Sequence, residues 1–258
     1  MRIAITGCRG FVGEHLTAQL RALGHEVIPL GRGAPPTEAF GALIHAGWDL
    51  ANPEANVASS ALLLRSAQAA GVSRILFISS LSAFEGCRSR YGAAKLAVET
   101  EVAAIGGCSI RLGFVCDDSS RGLSGSLKKL ARLPVIPLPG GGRQNLFTMR
   151  AEDLAQAFLK VLEHCDGEPV NLAYPEPVSL AGMMHIFARQ QGTRAAFLPV
   201  PWRMLWATLR AAEAAGVNIK FRSDSLVSLM NQNPAPDFRR LGEWGIVLRA
   251  FSGDAGLK

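Results

Sequence analysis

Short apolar runs alternate with longer amphipathic stretches through the first two-thirds of this chain. Strands are predicted near 2–6, 26–30, 42–46, 74–79 and 108–112, with Ile3 to Ile5 and Ile75-Leu76-Phe77-Ile78 the clearest runs. Unbroken apolar runs of this kind suit strands buried on both faces. Between them, helices fit 12–23, 55–70, 88–104 and 152–163. Strand and helix in turn imply an α/β fold, a parallel doubly wound sheet covered on both sides. From about Pro175 the pattern becomes mainly helical, broken by prolines at 199–201 and 234–236. The expected division is a sheet domain from 1–115 with 146–173. A small, mainly helical lobe from 116–145 with 174–258 would sit over the strand ends, where such sheets bind ligands.

Composition narrows the classes. The 258 residues are 48% hydrophobic and 19% charged, a globular balance rather than a disordered one. No apolar run is long enough to span a bilayer, so no membrane insertion is expected. Residues 1–30 read as structure, not as a signal peptide. The five cysteines, Cys8, Cys87, Cys108, Cys116 and Cys165, form no C-x-x-C pair. They read as reduced thiols of a cytoplasmic protein, and metal is not expected. The net charge of +6 suits a phosphate-bearing ligand. Its cations are scattered without an aromatic-interleaved stripe, which argues against nucleic acid. In Pro201 to Ala215, Trp202, Leu205, Trp206 and Leu209 share a helical face, read here as packing on the protein's own core rather than on a membrane surface.

Thr6-Gly7-Cys8-Arg9-Gly10-Phe11-Val12-Gly13 follows the first strand and opens the first helix. Such a turn holds a dinucleotide pyrophosphate: Gly7 permits the tight turn, Gly10 lets backbone approach the phosphates, and Gly13 lets helix and strand pack closely. The helix N-terminus then aims free N–H groups at the anion. This makes the sheet Rossmann-type.

Tyr91-Gly92-Ala93-Ala94-Lys95 places a phenol and an ammonium one helical turn apart. Tyrosine has an ordinary pKa near 10, and a neighbouring cation is expected to lower it toward a useful proton carrier. Upstream, the strand at 74–79 runs into Ser79-Ser80-Leu81-Ser82, hydroxyls suited to a substrate oxygen or to satisfying the turn. Asn56 reads by itself as a helix N-cap.

With these motifs in order, the chain resembles the extended type of the short-chain dehydrogenase/reductase superfamily, the NAD(P)-dependent epimerase/dehydratase family. Thr6 to Gly13 matches its T-G-x-x-G-F-x-G. Leu43-Ile44-His45-Ala46-Gly47 is similar to its strand-end element beside the cofactor, and Asn56 to Leu63 to its N-x-x-G-T-x-x-L-L helix. Tyr91, Lys95 and Glu99 match Y-x-x-x-K-x-x-x-E; Ile110 to Val115 and Met149 to Ala155 resemble later elements. The resemblance implies Tyr91 as acid/base, Lys95 as its electrostatic partner and ribose ligand, and Ser80 as the group polarising the reacting C–O, with Ser82 in reserve. Asn56 would complete the active-site hydrogen-bond chain. Gly7, Arg9, Gly10, Phe11, Val12, Gly13, His45, Ala46 and Gly47 would line the cofactor. Relatives that dimerise through paired helices make a homodimer an expectation, near Ala61, Leu64 and Ala97.

The chain departs from that pattern. Ser80 to Tyr91 is short, the region between Leu30 and Leu43 is compressed, and Leu112 stands where proline is frequent. Leu146 occupies the place of an arginine that faces the substrate diphosphate, with Arg143 and Arg150 as nearby substitutes. Gly140-Gly141-Gly142 reads either as a phosphate cradle or as a hairpin.

An NAD site ordinarily has an acidic residue after the second strand. Here Leu30-Gly31-Arg32 follows instead, and Arg32 with Arg9 suits a 2′-phosphate, favouring NADP(H) over NAD(H). The sequence therefore implies an NADP(H)-dependent oxidoreductase acting on a carbonyl or carbinol of a sugar-like small molecule, with a nucleotide-linked keto-sugar as the first substrate guess. Two alternatives are an NAD-dependent nucleotide-sugar epimerase or dehydratase, and a non-catalytic nucleotide-binding structural or sensing protein, whose branch Ser223 to Gly242 resembles.

Overall fold

A computed structural model describes every residue except Arg32, Pro35, Thr37, Ser120, Asn218, Lys220 and 252–258. The elements run β1 (Arg2–Thr6), α1 (Phe11–Ala22), β2 (Glu26–Leu30), β3 (Ala42–His45), α2 (Pro53–Ala69), β4 (Ile75–Ser80), α3 (Arg90–Ala104) and β5 (Cys108–Leu112). Next come β6 (Phe114–Cys116), α4 (Gly122–Leu130), β7 (Val135–Pro139), β8 (Asn145–Leu146), β9 (Thr148–Arg150), α5 (Leu154–His164) and β10 (Val170–Leu172). The chain then follows β11 (Val178–Ser179), α6 (Leu180–Gln190), β12 (Ala196–Val200), α7 (Trp202–Ala214), α8 (Ser223–Met230) and α9 (Arg239–Glu243).

Six parallel strands form the main sheet in the order β10-β5-β4-β3-β1-β2. Strand direction explains its two covers. Ile3, Ile5, Ile44, Leu76 and Ile110 face α1 and α5 through Leu16, Leu20, Phe158 and Val161. Ala4, Leu43, Ile75 and Phe77 alternate to the other side and meet Leu64, Ala67, Val98 and Val102 of α2 and α3. Chain order reverses between β1 and β3, so a crevice opens at their carboxyl ends.

Local chemistry sets the helix starts. Pro53 opens α2 one residue after Asn52, where its missing N–H costs nothing. Ser89 caps α3 by accepting the Gly92 N–H at 3.0 Å. Asn56 therefore lies inside α2 and is not its N-cap.

A second core joins Cys116, Ile136, Leu138, Leu146, Leu180, Met183, Met184 and Phe187. Gly140–Gly142 make a turn there with positive φ at all three residues, and a Cβ on Gly142 would press on Leu138 and Ala181. Not all of 174–258 belongs to this lobe: Leu241 and Ile246 return to the core under α1 and α5. The stripe of α7 corrects another expectation. No residue of α7 is fully buried: of the stripe, Trp202, Leu205 and Leu209 are half-buried and Trp206 is 38% exposed. The helix leans on α8 rather than on a core. Leu64 is committed to the protein's own interior and is not offered to a second copy. Among the described residues, no helix is long and apolar enough to cross a membrane.

Candidate active site

The glycine turn stands at the reversal point between β1 and β3. Gly7 has φ +68°, and a Cβ there would lie 2.6 Å from the Gly47 nitrogen. Side chains are thus excluded by backbone conformation and by the incoming end of β3. A Cβ on Gly13 would meet the Gly7 oxygen at 2.2 Å, the close helix–strand approach that the motif implies. Gly10 is the α1 N-cap and carries no side-chain cap. Arg9 and Gly10 are exposed, and Phe11 and Val12 are half-buried behind them. The first-turn N–H groups and the positive end of α1 therefore suit a pyrophosphate. Arg32 lies outside the described residues.

Ala46 and Gly47 pass beside this turn, and the Gly47 N–H donates to Thr6 Oγ1 at 3.0 Å. His45 does not line the crevice. Its Nδ1 meets Thr6 Oγ1 at 2.7 Å and its Nε2 meets Ser60 Oγ at 2.8 Å, so both ring nitrogens are spent inside the protein. Burial, aided by the Lys95 charge, pushes its pKa down to about 3 and leaves it neutral. His45 ties β1, β3 and α2 together beneath the site.

Tyr91 and Ser80 come together as the motifs imply. β4 carries Ser80 at its carboxyl end and α3 carries Tyr91 in its first turn, which brings the Ser80 hydroxyl close enough to the phenol to oppose the rise in its pKa. Ser80 Oγ also accepts the Ser82 N–H at 3.2 Å. Gly92 makes the approach possible: a Cβ on it would stand 2.3 Å from the Ser82 carbonyl oxygen.

Lys95 differs from expectation. Its side chain is buried, and Nζ donates to the Ile78 carbonyl at 2.6 Å. The ammonium sits 3.7 Å from the Trp48 ring centroid and 5.8 Å from that of Tyr91. Burial pushes the Lys95 pKa well down, with Glu99 opposing. The Tyr91 pKa is raised to about 12, because burial outweighs the opposing influence of the Ser80 hydroxyl. A lowered tyrosine pKa, expected from the sequence, is not present in this state; Tyr91 holds its proton.

Asn56 also serves differently. Its Oδ1 accepts the Asp49 N–H at 2.9 Å, and its amide donates to the carbonyls of Asp49 and Asn52. It shapes the loop after β3 instead of joining a chain to Tyr91.

Sequence reasoning missed three supporting groups. Trp48 covers Lys95 and meets Tyr91 edge-on at 6.0 Å. Ser79 donates to Glu99, which is held by Arg111 through contacts of 2.7 to 3.1 Å. Asp224 accepts the N–H groups of Arg90 and Tyr91. Of these, Ser79 and Glu99 left a trace in the sequence, the first among the hydroxyls that end the strand and the second one turn past Lys95.

Leu146, in the diphosphate-arginine position, is buried at 4% exposure in the lobe core. Arg143 is exposed, and Arg150 pairs with Glu152 at 3.0 Å.

No family model matches the chain. It is 28% identical over 200 residues to uncharacterised proteins of Mycobacterium tuberculosis and Mycobacterium bovis; the match covers 68% of this chain but only 22% of theirs. Solved structures are similar over 78% to 100% of the chain. MoeE5 in complex with UDP-glucose and NAD superposes with TM-score 0.74 at 17% identity, covering 100% of this chain and 96% of that one. UDP-glucose 4-epimerase from Thermotoga maritima gives 0.73 at 17%, with the same coverage. A dTDP-4-dehydrorhamnose reductase from Clostridium acetobutylicum gives 0.65 at 20%, covering 78% of this chain and 84% of the other. The strand order, the glycine turn at its reversal point and these superpositions together show that the chain shares the Rossmann-like α/β fold of these structures.

Proposed function

We propose that this chain is an NADP(H)-dependent oxidoreductase of the extended short-chain type, reducing a carbonyl of a sugar-like substrate. The observation that carries this reading is the placement of Tyr91, in the first turn of α3, with Ser80, at the end of β4, beside a glycine turn built for a dinucleotide. Gly7, Arg9, Gly10, Phe11, Val12, Gly13, Ala46 and Gly47 would hold the dinucleotide, with Arg32 and Arg9 on the 2′-phosphate side. When bound, it supplies or accepts a hydride at its nicotinamide ring.

The protein's own groups do the rest. Ser80 orients the substrate oxygen, and Tyr91, held protonated by its burial, delivers a proton to that oxygen. A tyrosine kept neutral at physiological pH is suited to the reducing direction. Lys95 would steady the phenolate left behind and meet the ribose once its Nζ turns from the Ile78 carbonyl that it now holds.

The test is a paired fluorescence titration of NADPH and NADH against cofactor-stripped protein, repeated with Arg32→Ala. Preferential micromolar NADPH binding, weakened far more for NADPH than for NADH by that change, supports the reading. Tight NAD(H) instead moves it to an epimerase or dehydratase, the activities of some of its fold neighbours. No binding of either moves it to a non-catalytic protein.

A further inference from the structure

Between β8 and the end of α8 lies a cavity of about 220 Å3, lined by Asn145, Phe147, Leu229, Met230, Gln232 and Asn233 with Pro234 at its edge. Its walls are tied to the candidate site from two sides. Ser228, next to Leu229, donates to Ser82 Oγ at 2.7 Å. The Phe147 carbonyl accepts the Phe114 N–H at 2.8 Å, and Phe114 follows the strand whose Leu112 is the sheet partner of Ser80.

The lining is neutral. Asn145, Gln232 and Asn233 bring side-chain amides, which both donate to and accept from hydroxyl groups. Asn233 uses its oxygen on the Ala235 N–H, leaving its NH2 as the donor. Phe147 adds an aromatic surface for C–H groups. Among the described residues, no lysine or arginine lines the cavity, and the β8 position beside Asn145 is the buried Leu146. Charged oxyanions are ordinarily met by guanidinium forks or other charge-assisted donors, which bind about twice as strongly as neutral ones.

We propose that the substrate is an uncharged, hydroxylated molecule the size of a single sugar ring, held by this amide-lined cavity, and that the site does not take a nucleoside-diphosphate sugar. The inference rests on the carbonyl-reducing function above and narrows its substrate. It separates this chain from fold neighbours whose structures carry UDP-glucose.

The experiment uses the full chain loaded with NADP(H) and saturation-transfer NMR. The probes are D-glucose, D-galactose, D-mannose and L-rhamnose against UDP and UDP-glucose. The expected result is saturation of at least one neutral sugar, weakened about tenfold by Gln232→Ala or Asn145→Ala, the loss of one good hydrogen bond. UDP and UDP-glucose give no transfer at millimolar concentration. Micromolar UDP-glucose binding, competed by UDP, overturns the proposal, as does a cofactor-loaded chain that binds none of the neutral sugars. Either result leaves the oxidoreductase function standing. A chain that takes up no cofactor ends both.

Discussion

The Asp224 carboxylate accepts the backbone N–H of Tyr91 at 2.9 Å across 133 positions of sequence, and that of Arg90 at 2.8 Å. The first turn of an α-helix leaves its N–H groups without intrahelical partners, and its dipole favours an anion there. Asp224 thus ties α8 to the helix that carries Tyr91. Removing this contact by Asp224→Ala is expected to cost about 0.5–2 kcal/mol of stability, the range for a lost cap. Asp224→Asn, which keeps an acceptor, should recover part of that. Chemical denaturation of the three proteins measures it, and equal stability of all three would show the contact to be idle.

Tyr91→Phe removes the proton and spares the ring. Turnover of a carbonyl substrate should fall about 10²–10⁴-fold, the usual range for a lost general acid. NADPH affinity should be nearly unchanged. Activity that survives this change removes Tyr91 from the chemistry.

Gly92→Ala tests the packing that brings Tyr91 to Ser80. The new Cβ would stand 2.3 Å from the Ser82 carbonyl oxygen, a backbone atom that cannot yield without moving the turn. A loss of about 1–3 kcal/mol is expected for such overpacking, together with lower turnover. Gly71→Ala is a poor control because Gly71 has φ +74°, whereas Gly242→Ala places its Cβ in open space. Gly242→Ala should leave turnover unchanged.

His45 predicts a pH dependence. Its pKa is about 3 in the folded protein and near 6.5 when unfolded. Between those values the unfolded chain binds the extra proton, so stability rises with pH in that window. Its contribution is fully present above about pH 6.5 and declines by up to about 1.4 kcal/mol per unit as pH falls toward 3. Melting curves of the wild type and His45→Asn at several pH values check this. The wild type should show the steeper fall on acidification, and parallel slopes would contradict the assignment.

Much of this fold was legible along the chain because its signals are local. β1, β2 and β5 occupy 2–6, 26–30 and 108–112, as their apolar runs imply. The Gly7 to Gly13 turn and the Ser80–Tyr91 pairing follow from short motifs whose parts are adjacent in sequence or on adjoining elements. Where signals were misleading, the missing information was direction. The same sequence that placed Lys95 one turn from Tyr91 was silent on whether its ammonium faces the phenol or, as found, the Ile78 carbonyl and the Trp48 ring. Asn56 looked like a cap, yet it braces the Asp49 backbone.

By itself, then, the sequence determined the strands, their covering helices and the dinucleotide turn, because periodicity and glycine placement act within a few residues. Tertiary structure alone decided which polar groups are spent inside the protein. It enclosed His45 between Thr6 and Ser60, left the α7 stripe only half-buried, and brought Asp224 to the helix of Tyr91. Burial and hydrogen-bond partners come from residues far apart in the chain, and those same contacts set whether Tyr91 keeps or loses its proton.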